Sequence, residues 1–161
     1  MKDKTISQAG ESTCAPLPPC RILVVDDDTG IRQLNTGALI RSGYHVDAAA
    51  DGAAAWEALS ADSYDLMITD HNMPKVSGVE LLKKLRAARM VVPVIMATGT
   101  LPKEESTRYP WLQPAALLLK PYSFPELLGT VRNVLRAAGA AREPSAGGLR
   151  CGQFQARWMF S

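Results

Sequence analysis

Four hydrophobic runs in this chain each end on a residue suited to handling a phosphoryl group. Ile22-Leu23-Val24-Val25 runs into Asp26-Asp27-Asp28, and Leu66-Met67-Ile68-Thr69 into Asp70. Val94-Ile95-Met96-Ala97 leads to Thr98, and Leu117-Leu118-Leu119 to Lys120. Clustered carboxylates are costly without a cation, because neighbouring like charges raise one another's pKa. Hard oxygen ligands favour Mg²⁺, which takes one or two carboxylates together with phosphate oxygens. Asp26, Asp27 and Asp70 with a backbone carbonyl form such a ligand set, and Asp70 sits where an aspartate nucleophile is useful. Lys120 supplies a point charge for phosphoryl oxygens and Thr98 a hydroxyl donor. Each residue alone also has a plainer reading. The Asp triplet doubles as a strand exit with Asp28 capping a helix, and Thr98 and Lys120 as ordinary strand-end residues.

These residues meet only if the runs are neighbouring strands. Short apolar runs alternating with helical patterns indicate a parallel sheet buried on both faces, and such sheets bind ligands at their carboxyl ends. The pattern gives five strand-then-helix units, with strands at 21–26, 44–49, 65–70, 92–98 and 115–119. Helix one spans about 28–41, with Ile31, Leu34, Ala38 and Leu39 on one face. Asp51 caps helix two, where Ala55, Trp56 and Leu59 share a face, and helix three spans about 77–88, burying Val79, Leu82 and Leu85. Pro102, Pro110 and Pro114 limit the fourth helix to a short stretch near 103–109. Ser123-Phe124-Pro125-Glu126 fits a capping box that opens helix five, with Phe124, Leu127, Leu128, Val131 and Leu135 toward the core and an end near Gly139.

Composition narrows the class. At 161 residues, 47% hydrophobic and 21% charged, the chain suits one soluble globular domain. A formal net charge of +2 argues for neither nucleic acid nor an anionic membrane, and no apolar run approaches the roughly 20 residues of a membrane span. Cys14, Cys20 and Cys151 do not make a disulfide framework or a zinc site, so a cytoplasmic location is expected. Residues 1–19 read as a disordered leader, 20–139 as the folded domain and 140–161 as a flexible tail, in which Phe154, Arg157, Trp158 and Phe160 are the notable side chains. His71 reads as a solvent-facing loop residue, His45 as structural, Trp56 as core and Trp111 as a packed or partly exposed loop residue.

Taken together, Ile-Leu-Val-Val-Asp-Asp-Asp (22–28), Asp-His-Asn-Met-Pro-Lys-Val-Ser-Gly (70–78), Thr98 and Lys120-Pro121 resemble the receiver domain of two-component response regulators. The resemblance covers about residues 20–138. It implies a CheY-like, flavodoxin-like (βα)5 fold whose doubly wound parallel sheet has strand order 2-1-3-4-5. It implies that Asp70 accepts a phosphoryl group from a histidine kinase or histidine phosphotransfer protein. Asp26 and Asp27 would hold Mg²⁺ with Asp70 and the Asn72 backbone carbonyl, while Thr98 would move toward the phosphoryl group and Lys120 would bind it. The Lys120-Pro121 bond would be cis. Asn72, two residues beyond the acceptor, would tune the lifetime of the acyl phosphate.

The chain also departs from that family. Leu117 occupies a switch position where an aromatic residue is usual, and Pro110-Trp111-Leu112-Gln113-Pro114 replaces the common approach to strand five. The expected function is a stand-alone phosphoacceptor switch that signals by protein contact, without nucleic acid or membrane binding of its own. It would act as a monomer or as a weak dimer through the helix four to helix five face, with an unidentified downstream protein. The alternative is a receiver-like adaptor that works without phosphorylation. A third class, phosphatases that pass through an aspartyl phosphate, needs a second Asp two residues after the nucleophile; here that residue is Asn72. The chain is therefore read as a phosphoacceptor that assists only its own phosphorylation and dephosphorylation, not as an enzyme.

Overall fold

The apolar runs form five strands: β1 (Arg21–Val25), β2 (His45–Ala49), β3 (Leu66–Asp70), β4 (Val94–Thr98) and β5 (Ala116–Leu119). All pair in parallel, in the order β2-β1-β3-β4-β5. The crossover helices are α1 (Thr29–Arg41), α2 (Gly52–Ala61) and α3 (Gly78–Ala87), and α4 (Phe124–Ala137) follows β5. This α4 is the helix that the sequence pattern numbers fifth. The computed structural model describes residues 19–100 and 112–139. The leader, the helix expected at 103–109, Trp111 and the tail lie outside the described residues.

Every position of β3 and β4 is buried, as expected of central strands covered on both faces. Alternate residues feed two separate apolar layers, because side chains along a strand point to opposite faces. Leu23, Val25, Met67 and Met96 meet α2 and α3 through Ala55, Leu59, Leu82 and Leu85. Ile22, Val24, Ile68 and Ile95 meet α1 and α4 through Leu39, Leu127, Val131 and Leu135. The helices start where polar side chains take up free N–H groups. Asp28 accepts from the Ile31 amide at 3.0 Å, and Asp51 from the Ala54 amide at 2.7 Å. Ser77 with Glu80, and Ser123 with Glu126, form complete capping boxes at α3 and α4.

Several side chains are not where the pattern puts them. The buried face of α1 runs through Asn35, Ala38 and Leu39, so Leu34, one step round the helix, is 58% exposed. Phe124 is 42% exposed at the first turn of α4, whose core side is carried by Leu127, Val131, Val134 and Leu135. Trp56 is only half-buried, and the Lys84 ammonium lies 5.5 Å from its ring centroid, a cation–π contact between α2 and α3. Leu81 is buried beside Leu82 and Leu85, and the His45 side chain is exposed.

At the amino edge of the sheet, Arg21 bridges Asp47 at 2.7 Å and Asp62 at 3.1 Å. Its guanidinium lies 4.9 Å from the centroid of the Tyr64 ring, whose hydroxyl donates to Asp47 at 2.8 Å. Burial, and then the Asp47 acceptor, push the Tyr64 phenol up to about 12. A raised folded value means this group favours folding below the unfolded phenol value of about 10 and loses that contribution as pH rises through about 12. Tyr64→Phe keeps the ring and removes the titration. Its melting temperature is expected to fall less steeply than that of the wild type over the same alkaline range, measured by circular dichroism.

Gly129 lies inside α4 with nothing close to where a Cβ would stand. Glycine is a poor helix former, so Gly129→Ala is expected to stabilise the protein by about 0.5–1 kcal/mol in urea denaturation.

Candidate functional site

The parallel register carries all four strand ends to one edge of the sheet. Val25 pairs with Thr69, Asp70 with Ala97, and Thr98 with Leu119. Asp26, Asp27 and Asp70 each bring a carboxylate oxygen to within 4.8 Å of the others, with Asp26 and Asp70 buried and Asp27 exposed. The triplet divides its work. Asp28 caps α1, and its own N–H donates to Asp26 Oδ1 at 2.9 Å, fixing that carboxylate. Burial is the main force pushing the Asp26 carboxyl above its ordinary value. The Asp28 amide and Lys120 oppose this, and the charges of Asp70 and Asp27 add to it.

Lys120 enters the cluster from β5. Its Nζ lies 3.2 Å from Asp70 Oδ1 and 3.9 Å from Asp26 Oδ2. Burial disfavours its ammonium, but the charge and hydrogen bond of Asp70 and the charge of Asp26 outweigh that and hold its pKa above the usual value. The Lys120 amide donates to the Thr98 carbonyl at 2.8 Å, and the Lys120–Pro121 peptide is cis. The Thr98 side chain is almost fully buried; its hydroxyl donates to the Thr100 carbonyl at 2.7 Å. The Asn72 amide donates to Asp70 Oδ1 at 3.4 Å while its side chain is exposed. Leu117, paired with Met96 in the ladder, is 39% exposed.

The loop after β3 is built by close backbone approach. Val76 N–H donates to the Pro74 carbonyl at 2.9 Å around Lys75, whose φ of 70° makes this a γ-turn, a strained conformation for a side-chain-bearing residue. Gly78, at the start of α3, donates to the His71 carbonyl at 3.1 Å and leaves no room for a Cβ against the Asp70 carbonyl oxygen. His71 is not the solvent-facing residue its position suggests: it is half-buried, with Nδ1 3.3 Å from Met96 Sδ.

Two features escape sequence reasoning. Arg32, one turn into α1, donates from Nη1 to the Asp26 carbonyl at 2.7 Å. Asn35, buried on the same helix, donates to the Tyr122 hydroxyl at 2.8 Å. Asn35 falls outside the apolar face that the spacing picks out on α1, so no sequence signal pointed to the second.

The donor set of the cluster is entirely carboxylate oxygen, with one ligand open to solvent. That chemistry fits Mg²⁺, which keeps several waters and dehydrates reluctantly. Among the described residues no helix is long and apolar enough to cross a membrane.

The family model for the response regulator receiver domain matches residues 22–132. The transcriptional regulatory protein TcrA of Mycobacterium tuberculosis is 33% identical over 157 residues, which is 93% of this chain and 61% of TcrA. The response regulator MprA of Mycolicibacterium vanbaalenii is 35% identical over 120 residues, 73% of this chain and 51% of MprA. The chain thus spans little more than half the length of these curated relatives. Among solved structures, the chemotaxis protein CheY4 of Vibrio cholerae aligns with a TM-score of 0.68 at 32% identity, covering 73% of this chain and 99% of that one. The response regulator TrrA of Thermotoga maritima, in complex with Mg²⁺ and BeF, aligns with a TM-score of 0.64 at 33% identity, covering 72% of this chain and 99% of that one.

Proposed function

The chain belongs to the response regulator receiver domain family, and from that premise we propose that it accepts a phosphoryl group on Asp70 and signals through protein contacts that depend on it. One observation carries the reading. A buried aspartate at a strand end has two further carboxylates within 4.8 Å and a lysine ammonium at 3.2 Å. Catalysis of phosphoryl transfer is mostly positioning plus charge stabilisation, and this cluster offers both. A carboxylate oxygen of Asp70 attacks phosphorus, the bond from phosphorus to the donor nitrogen breaks, and an acyl phosphate forms while the donor imidazole leaves with its proton. Asp26, Asp27 and Asp70, with the Asn72 carbonyl, are the residues that would hold Mg²⁺, which when bound offsets the charge of the meeting anions. Lys120 then pairs with a phosphoryl oxygen, and the Thr98 hydroxyl leaves the Thr100 carbonyl to donate to another. Asn72 borders the acyl phosphate and tunes the entry of water to it.

The donors are a histidine kinase or a histidine phosphotransfer protein, as befits the family, and the setting is the cytoplasm. Residues 20–139 form the receiver unit. The helix face flanking β5 is the place for a weak dimer or a downstream protein, and the domain is a switch rather than a turnover enzyme.

The test is to incubate the protein with acetyl phosphate or phosphoramidate, with and without Mg²⁺, then reduce the acyl phosphate with borohydride and map the product by mass spectrometry. Conversion of residue 70 to homoserine, dependent on Mg²⁺, is expected. A label elsewhere, or one indifferent to Mg²⁺, overturns the assignment. The exposed Leu117, which has no ring to bury or release, favours a second reading as an adaptor. In that case partner binding is unchanged by phosphorylation and by Asp70→Ala.

A further inference from the structure

A polar pair lies within the apolar layer between α1 and the turn that follows β5. Asn35 is only 4% exposed, on the α1 face that also buries Ala38 and Leu39. Its Nδ2 donates to the Tyr122 hydroxyl at 2.8 Å, bridging residues 87 apart in sequence. A buried amide without a partner is costly, and two apolar side chains would fill the same space with no such risk. What such a pair adds over apolar packing is a fixed geometry.

That geometry concerns Lys120. Tyr122 lies two residues beyond it, and Lys120 Nζ is 3.2 Å from Asp70 Oδ1. Among the described residues β5 pairs with β4 alone, and with Leu117 and Leu119 39% and 50% exposed, few of those residues pack on one face of this strand to hold its end. The backbone is tied on either side of the turn, by the Lys120 amide on the Thr98 carbonyl and by the Ser123 capping box of α4. Tyr122 adds a tie to α1, the helix that starts directly after Asp26-Asp27-Asp28 and is capped by Asp28. It therefore joins the segment carrying the lysine to the element that follows the carboxylates.

We propose that the Asn35–Tyr122 hydrogen bond is a positioning device for Lys120, holding its ammonium in place against the carboxylates of Asp70 and Asp26. This rests on the reading of Asp70 as phosphoacceptor. Asn35 and Tyr122 are positioning residues that act through Lys120. Tyr122→Phe leaves the Asn35 amide buried and unsatisfied, so it mixes lost stability with lost positioning. The double variant Asn35→Leu/Tyr122→Phe replaces both partners with apolar groups of similar shape and separates the two.

The double variant is expected to melt within a few degrees of the wild type. It should take phosphate from phosphoramidate roughly tenfold more slowly and bind trifluoroberyllate more weakly, while its Mg²⁺ affinity stays within about twofold because the carboxylates are untouched. In a Lys120→Met background the same double substitution should slow labelling no further, as a double-mutant cycle requires of residues acting through one group. Wild-type labelling rates in the double variant overturn the proposal. So does equal slowing in the Lys120→Met background, which would place the effect elsewhere. If wild-type protein takes no label on Asp70, the phosphoacceptor reading itself fails and this inference falls with it, a result the wild-type control shows separately.

Discussion

Asp70→Asn is expected to abolish phosphoryl labelling, a fall of at least about a thousandfold, because it removes the nucleophile and almost nothing else. Asparagine has the shape of aspartate, and its amide oxygen can still accept from Lys120 and from the Asn72 amide, which now address Oδ1 at 3.2 and 3.4 Å. A neutral amide oxygen does not form a stable mixed anhydride with phosphate. Folding should hardly change. The substitution removes an attraction to Lys120 and, with it, the repulsion from Asp26 and Asp27, whose carboxylates lie within 4.8 Å. These Coulomb terms oppose each other at comparable distances, so urea denaturation should place the variant within about 1 kcal/mol of the wild type. Mg²⁺ affinity should fall by about tenfold or more, since one anionic ligand of three is gone. Asp27→Ala is the informative contrast: it keeps the nucleophile and loses a ligand, so it should label slowly and still on residue 70. Labelling of Asp70→Asn at the wild-type rate would move the acceptor to another side chain.

The sheet and its chemical edge were legible because central parallel strands are buried on both faces. Ile22 to Val25 and Leu66 to Thr69 need no alternation, and an unbroken apolar run that stops at a polar residue marks where each strand leaves the core. Caps were legible for a local reason, since Asp28, Asp51 and Ser123 act on amides only three residues ahead. The phase of α1 was not. Leu34 looks like a core residue and Asn35 a surface one, yet their places are exchanged because Asn35 finds a partner 87 residues away. Tertiary hydrogen bonds of that kind leave no periodic trace. Nor does the γ-turn at Lys75, where a residue with a side chain takes a conformation usually left to glycine. Phe124 misleads in a third way: it opens α4, where the helix has not yet turned onto the core.

Gly78→Ala should cost about 2–3 kcal/mol and slow phosphorylation by roughly tenfold or more, although alanine is the better helix former. The residue begins α3, directly after the Ser77 cap. A Cβ there would collide with the Asp70 carbonyl oxygen and stand 3.2 Å from both the Asp70 carbonyl carbon and His71 Cα. All three are backbone atoms at the end of a buried central strand, so no rotamer change relieves the contact. Either α3 retreats, losing the Gly78 hydrogen bond to the His71 carbonyl, or the end of β3 shifts and carries the Asp70 carboxylate away from Lys120 and from the carboxylates of Asp26 and Asp27. The first response shows as lost stability and the second as lost rate, so urea denaturation and labelling kinetics on the same variant apportion the two. Gly129→Ala is the control, being the same chemical change at a helix position with open space around it. Opposite signs at the two sites are expected. Stabilisation by both would mean that the approach of α3 to the acceptor strand yields freely, and that the position of Asp70 is set by the other three strand ends alone.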